Sequence, residues 1–414
     1  MKTTCSVLFL FLVCGVANAQ IVPEATGPGV AKEPAVPTGS YLQYALRYTE
    51  LARFGTSIPS QQSASASGSL NYVSASERRP FTFEYGGGYT WAISGPAYGT
   101  GQSQRVFLSQ GLNGRKWNFL VSDDASYLPQ TPNTGFLGIP GIGEPIGVAN
   151  PSPTSSQTIL SLNTQAVENV ANGSLEASLS NATSLTGGAS SRLLRYPNGD
   201  GYDTDTLSAT GVLARVLNSR DSLSGAYEFF NFSYPGYDVS FVTNSALIGI
   251  QHKWTRNLVT NVAAGPQFIS SSVPTVVPSS INVAVNASLT YLLRFTTATA
   301  SYTRGTNGGS GYLFGAEVDD AVVDVSHQYG LNWTIGLTGG FQRTAGLNNN
   351  GVTEAVFGAA EGTWRIARNM IVFANYTADD QWSTSTLPTN SLNLLLNTIG
   401  FGIGYSPLPR RVRQ

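Results

Sequence analysis

The sequence predicts an all-β protein: a transmembrane, antiparallel, up-and-down β-barrel of about 18 strands, with 16 as the alternative, behind an N-terminal signal peptide. Three observations carry this. Hydrophobicity alternates with period two along most of the chain. Charged residues are only 11% of it, against roughly 25% in ordinary soluble proteins. Short turns and long polar loops follow one another in regular alternation.

Met1 and Lys2 supply a short positive start, and an apolar run follows from Val7 to Val13. Ala17-Asn18-Ala19 places small residues where a signal peptidase reads them, so cleavage is expected before Gln20. The run is too short to span a bilayer. Both cysteines, Cys5 and Cys14, lie inside residues 1–19, so the mature chain is expected to carry no thiol, disulfide or thiolate metal site. Without Lys2 the formal balance is 22 basic to 24 acidic residues. That excludes the basic surplus of a nucleic-acid partner. Residues 20–39, rich in Pro, Gly, Ala and Val, read as an extended periplasmic leader. Beyond the signal no run of 18 apolar residues occurs, which excludes a helical membrane protein but not a barrel.

The clearest alternation sets Phe81, Phe83, Tyr85, Tyr89, Trp91 and Ile93 against Thr82, Glu84, Gly86, Gly88, Thr90 and Ala92. Similar patterns run over 281–295 and 331–342. Successive strand side chains point to opposite faces, so each segment has one greasy and one wet face. A soluble sandwich also alternates, but these segments exceed the five or six residues usual for its strands. Their aromatic residues lie near segment ends, where the girdles of a membrane barrel belong.

Short turns are expected near 77–80, 113–116, 181–182, 218–221, 255–257, 295–296, 329–330 and 368–369. Longer polar stretches include 53–66, 94–104, 125–168, 191–203, 305–312, 344–351 and 380–392. With a first strand near Tyr41–Arg53 and a last near Leu394–Tyr405, the barrel is expected over 40–406, followed by a periplasmic tail at 407–414.

In the last strand Ile399, Phe401, Ile403 and Tyr405 share one face, and Thr398 and three glycines the other. Here the chain resembles the outer-membrane β-barrel proteins of Gram-negative bacteria. Their closing strand carries a polar residue, a glycine, a hydrophobe and a terminal aromatic at fixed spacing. Thr398, Gly400, Ile403 and Tyr405 fill those positions. The resemblance implies residence in the bacterial outer membrane and recognition of this strand by the barrel assembly machinery. Members often stop at the aromatic residue, whereas this chain continues to Gln414.

Barrels of 16–18 strands leave an aqueous lumen, so the leading expectation is a porin-like channel for passive diffusion of small solutes. Ser, Thr, Asn and Gln would line it. Apolar-face alternation places Arg47, Glu84, Arg215, Glu228, Asp324, Glu361 and Arg365 in the lumen. Both signs occur, which predicts weak ion selectivity; equally, these residues could pair across strands and merely satisfy the wall. The stretch 125–168 would be the third outer loop. In general porins that loop folds inward and narrows the pore, and the resemblance suggests the same role. Its apolar segment Phe136–Gly143 fits a cap, a path for a greasy solute or a protein contact as well. No catalytic set, cofactor or metal site is apparent. His252 and His327, the two histidines, share faces with apolar residues and read as interfacial. The alternatives are a non-conducting surface or structural barrel, or an adhesin, acting through its outer loops, and a soluble secreted β-sandwich or solenoid.

Overall fold

The computed structural model describes residues 40–56, 59–74, 76, 78–97, 99–130, 159, 164–199, 201–330, 332–348, 351–383, 393–407 and 410–411. The signal segment with Ala17, Ala19 and Gln20, the leader 20–39 and most of the third outer loop lie outside the described residues.

The first nine strands are β1 (Tyr41–Gly55), β2 (Gln61–Ser74), β3 (Phe81–Ser94), β4 (Gly101–Asn113), β5 (Trp117–Gln130), β6 (Thr164–Ser180), β7 (Thr183–Arg195), β8 (Thr204–Val216) and β9 (Asp221–Tyr234). Then follow β10 (Val239–Lys253), β11 (Leu258–Ser271), β12 (Ser280–Leu292), β13 (Thr296–Asn307), β14 (Ala316–Tyr329), β15 (Trp333–Gly346), β16 (Val352–Ala367), β17 (Met370–Ser383) and β18 (Leu394–Tyr405). A two-residue strand, β19 (Arg410–Arg411), ends the series. Each of the first 17 strands pairs antiparallel with the next, and β18 returns to β1, with Leu46 opposite Tyr405 and Gly55 opposite Leu396. The sheet is a closed ring. Closure leaves no edge, which hydrocarbon requires, because it offers no water to an unpaired N–H or C=O. Strands of 12 to 17 residues exceed the roughly ten that a tilted strand needs to cross.

The expected short turns all join consecutive strands at one end. Their chemistry is local. The Asn218 side-chain oxygen accepts the N–H groups of Arg220 and Asp221 at 2.7 and 2.9 Å. Thr255 Oγ1 accepts those of Asn257 and Leu258 at 3.2 and 3.1 Å. Such side chains supply the acceptors that a sharp reversal takes from the ladder.

The large apolar residues point outward. Ile248 is 73% exposed, whereas Leu247 beside it is 3% exposed. At the short-turn end, Trp117, Trp254, Tyr329, Trp333 and Trp364 stand exposed on the outer face, and Trp333 stacks on Trp364 at 5.1 Å. They form the aromatic girdle of a membrane barrel. At the long-loop end the outer face carries exposed Phe54, Tyr89 and Trp91 and also ion pairs. Asp319 bridges Arg304 and Arg343 at 3.3 and 3.4 Å, Arg343 reaches Glu354 at 3.8 Å, and Arg304 also pairs with Glu317.

Several boundaries differ from expectation, because strands run into the expected loops 53–66, 94–104, 191–203 and 344–351. The third outer loop is shorter, spanning 131–163, because β5 and β6 extend into it. The expected tail is not wholly outside the sheet: Arg410 and Arg411 pair with Leu42 and Tyr41 of β1. Pro407 cannot donate to a ladder, which accounts for the break after Tyr405.

The glycines of β18 have a packing cause. A Cβ on Gly402 would meet the Phe373 ring and lie 2.6 Å from the Tyr48 carbonyl. A Cβ on Gly358 meets nothing within 4 Å. Gly402→Val is therefore expected to cost about 1–3 kcal/mol, and Gly358→Ala close to nothing. The unfolding midpoint of the detergent-folded, heat-modifiable protein in urea checks both.

Candidate functional site

The alternation of exposure assigns each strand residue to the lipid face or the inner face. Arg47 shares the inner face of β1 with Gln43, Thr49 and Arg53, and its guanidinium lies over the Phe373 ring at 4.5 Å. Glu84 of β3, Glu228 of β9, Asp324 of β14, and Glu361 and Arg365 of β16 also stand opposite the exposed apolar rows of their strands. Asp324 accepts a hydrogen bond from Thr338 at 2.6 Å, and Glu361 one from Thr363 at 3.3 Å. Arg215 is a correction. It is paired with Leu223 and lies in the outer row with Leu207 and Leu213. Its position near the short-turn end explains how a charge sits there, since a long side chain can reach the headgroup level.

The inner face holds charges that alternation alone did not single out. Arg105 of β4 grips Asp124 of β5 through two nitrogens at 2.7 to 3.1 Å. Arg192 of β7 pairs with Glu168 of β6 at 2.8 Å. Both pairs are diagonal: Asp124 stands opposite Phe107, and Arg192 opposite Val170. Diagonal neighbours lie within reach of long side chains. The signal was present, because each pair is nearly equidistant from its turn, but β4, β6 and β7 lack a strong apolar row. Asp320 of β14 and Asp379 of β17 are also on the inner face. Elsewhere that face is hydroxyl- and amide-lined. Ser208 donates to Ser190 at 3.1 Å, and Asn261 to Ser288 at 3.2 Å.

At the long-loop end the interior is partly filled. The connection 308–315, between β13 and β14, turns inward and contacts strands four and five places away. Tyr234 donates to the Gly308 carbonyl at 3.0 Å, and the Tyr202 N–H to that of Gly311 at 2.7 Å. Phe314 stacks on Tyr202 at 4.3 Å and meets Tyr234 and Tyr237 edge-on at 5.0 and 5.3 Å. Beneath lies a buried cluster of Phe232, Tyr234, Val239, Phe241, Ile269 and Val277. Gly315 has φ +80°, and a Cβ there would sit 2.7 Å from the Phe241 ring. Only glycine fits.

Ile159, the described residue of the third outer loop's interior, is buried against Leu313 and Ala316, with Tyr312 and Val318 beside them. The loop arises between β5 and β6, and β14 is nine strands on from β5 in a ring of 18. The contact is therefore with the inward connection and the start of the strand opposite.

His252 and His327 stand on the outer face near the short-turn end. His252 Nδ1 lies 2.6 Å from Asp221 Oδ1, and His327 Nδ1 lies 2.7 Å from Thr296 Oγ1. Among the described residues no three His, Cys, Asp or Glu side chains are grouped so as to hold a metal ion. In the closing strand Thr398 and Gly400 face inward, and Ile403 and Tyr405 outward.

A closed 18-strand antiparallel ring with an apolar exterior and an aromatic girdle has the architecture of a transmembrane β-barrel. No family model matches the chain. No curated protein matches it. Solved structures are similar in architecture. Pseudomonas aeruginosa OccK2 (OpdF) is 11% identical over 89% of this chain and 97% of its own, with a TM-score of 0.49. Acinetobacter baumannii OccAB4 is 11% identical over 91% and 100%, at 0.46. The FrpB iron transporter from Neisseria meningitidis is 8% identical over 88% and 82%, at 0.43.

Phe314→Ala should release the inward connection without opening the ring, since the ladder does not depend on it. Limited proteolysis of the micelle-held barrel is expected to cut within 308–315 in the variant and to spare the parent.

Proposed function

We propose that the protein is an outer-membrane channel for passive diffusion of small solutes, with the third outer loop narrowing its lumen. One observation carries the reading: an 18-strand ring whose inner face bears hydroxyls, amides and charges. A ring of that size encloses more than its own side chains can fill, and a polar inner surface is stable where water reaches it. The position of Ile159 against Leu313 and Ala316 supports a loop that crosses the interior. Export with cleavage before Gln20, a leader at 20–39 and pairing of the Thr398–Tyr405 strand with the assembly machinery belong to the same proposal.

A second reading is a non-conducting barrel that acts through its outer loops. What favours it is the near-complete burial of inner-face residues at the long-loop end, among them Thr49, Gln61, Thr243 and Gln381.

Single-channel recording in a planar bilayer separates the two. Stable ohmic steps are expected. Replacing 131–163 by a short Gly-Ser link should raise the step size. A folded, heat-modifiable protein that never conducts would leave the closed barrel standing.

A further inference from the structure

We propose that the lumen prefers cations, and that the inner wall from β14 to β17 selects small cationic solutes; this rests on the channel reading above. Charge on the inner face is not evenly mixed. On the β4–β7 side the cations are paired: Arg105 is held bidentate by Asp124, and Arg192 Nε lies 2.8 Å from Glu168. A bidentate pair presents almost no net field to a passing ion. On β14, β15, β16 and β17 the described inner face carries Asp320, Asp324, Glu361 and Asp379, against the single cation Arg365. The inner cations Arg47 and Arg53 stand two strands on, on β1, with Arg47 over the Phe373 ring. From β14 round to β1, acidic residues therefore outnumber basic ones only by four to three. No ion pair joins Arg365 to any of these carboxylates among the described residues. Glu228 adds a further carboxylate on β9, beside Thr210 and Ser245.

Asp379 gives an independent pointer to a positive occupant. It is 2% exposed, and its Oδ2 has no hydrogen-bond partner. A carboxylate oxygen withdrawn from water without a donor is costly, and a cation relieves that cost. The transfer of Arg215 to the outer face removes one positive charge from the lumen as alternation had drawn it. Rings and walls of like charge set selectivity in pores, because they raise the local concentration of the counter-ion.

The test is the reversal potential of the full protein in a planar bilayer across a KCl gradient. Potassium is expected to permeate roughly threefold or more over chloride. Asp324→Asn combined with Glu361→Gln should bring the ratio down by about half or more, while Glu50→Gln, on the outer face, leaves it unchanged. A second arm avoids dependence on the folding of that double variant. Residues 20–414 contain no cysteine, so Glu361→Cys can be labelled in the open channel. A cationic thiosulfonate should lower the potassium preference further, and an anionic one should restore it. Equal permeability, a chloride preference, or labels without effect would overturn cation selection and leave the channel standing. Absence of conductance from folded protein would remove the channel reading, and cation selection with it.

Discussion

Every feature of the molecule follows from the seam between β1 and β18. In hydrocarbon an unpaired peptide group has no partner, so the first and last strands must find each other or the sheet cannot stay in the membrane. Their register fixes which face of each is wet. A slip of one residue would turn Ile399, Phe401 and Ile403 into the interior and the glycines out to lipid. The inner glycines of β18 leave room for Phe373 and Asn375, which lean across from β17. Phe373 in turn carries the Arg47 guanidinium. Closure, packing and the placement of an inner charge are thus one interaction seen at three scales.

The interior is not uniform along its axis. Toward the short turns the inner face carries Glu361, Thr363 and Arg365, with Ile371 and Phe373 of β17 buried beside them. Toward the long loops the connection 308–315 lays Phe314 among tyrosines, over a buried aromatic cluster. The outer face carries aromatic rings toward both ends, with Trp333 and Trp364 at the short turns and Phe54 and Trp91 near the long loops, and adds ion pairs around Asp319 at the long-loop end. Charges bound to each other so tightly suit a wall leaving hydrocarbon for a polar layer. The filling of one end follows from chain length: short turns have no surplus chain with which to fill theirs.

The ring was legible because its signals are local and repeated. Period-two runs such as Phe81–Ser94 coincide with β3, and the short turns fell where Asn, Thr and Gly cluster. The inner face was legible only where an apolar row marked the outer one, as for Glu84, Glu228, Asp324 and Glu361. Arg215 misled because β8 is weakly patterned at its end, where Val216 and Leu217 are also exposed. Arg105 and Arg192 were not legible, and Asp124 and Glu168 read only as charges in or beside the third outer loop, because their roles depend on diagonal partners in neighbouring strands. The inward course of 308–315 was hidden for a further reason. Glycine-rich polar sequence describes what a loop can do, not which wall it will lie against, and the partners that decide it are more than 60 residues away in sequence.

Arg410 and Arg411 add two rungs to β1 beyond the end of β18. Mechanically, a cylinder made from one ribbon is weakest along the line where its margins meet, and a tear there starts at a free corner. In this barrel that corner is covered. The chain leaves the line after Tyr405 and rejoins it, so a tear advancing from the short-turn end must first peel off a patch that overlaps the join. The overlap converts a corner, where stress concentrates on one bond at a time, into a lap joint that shares it.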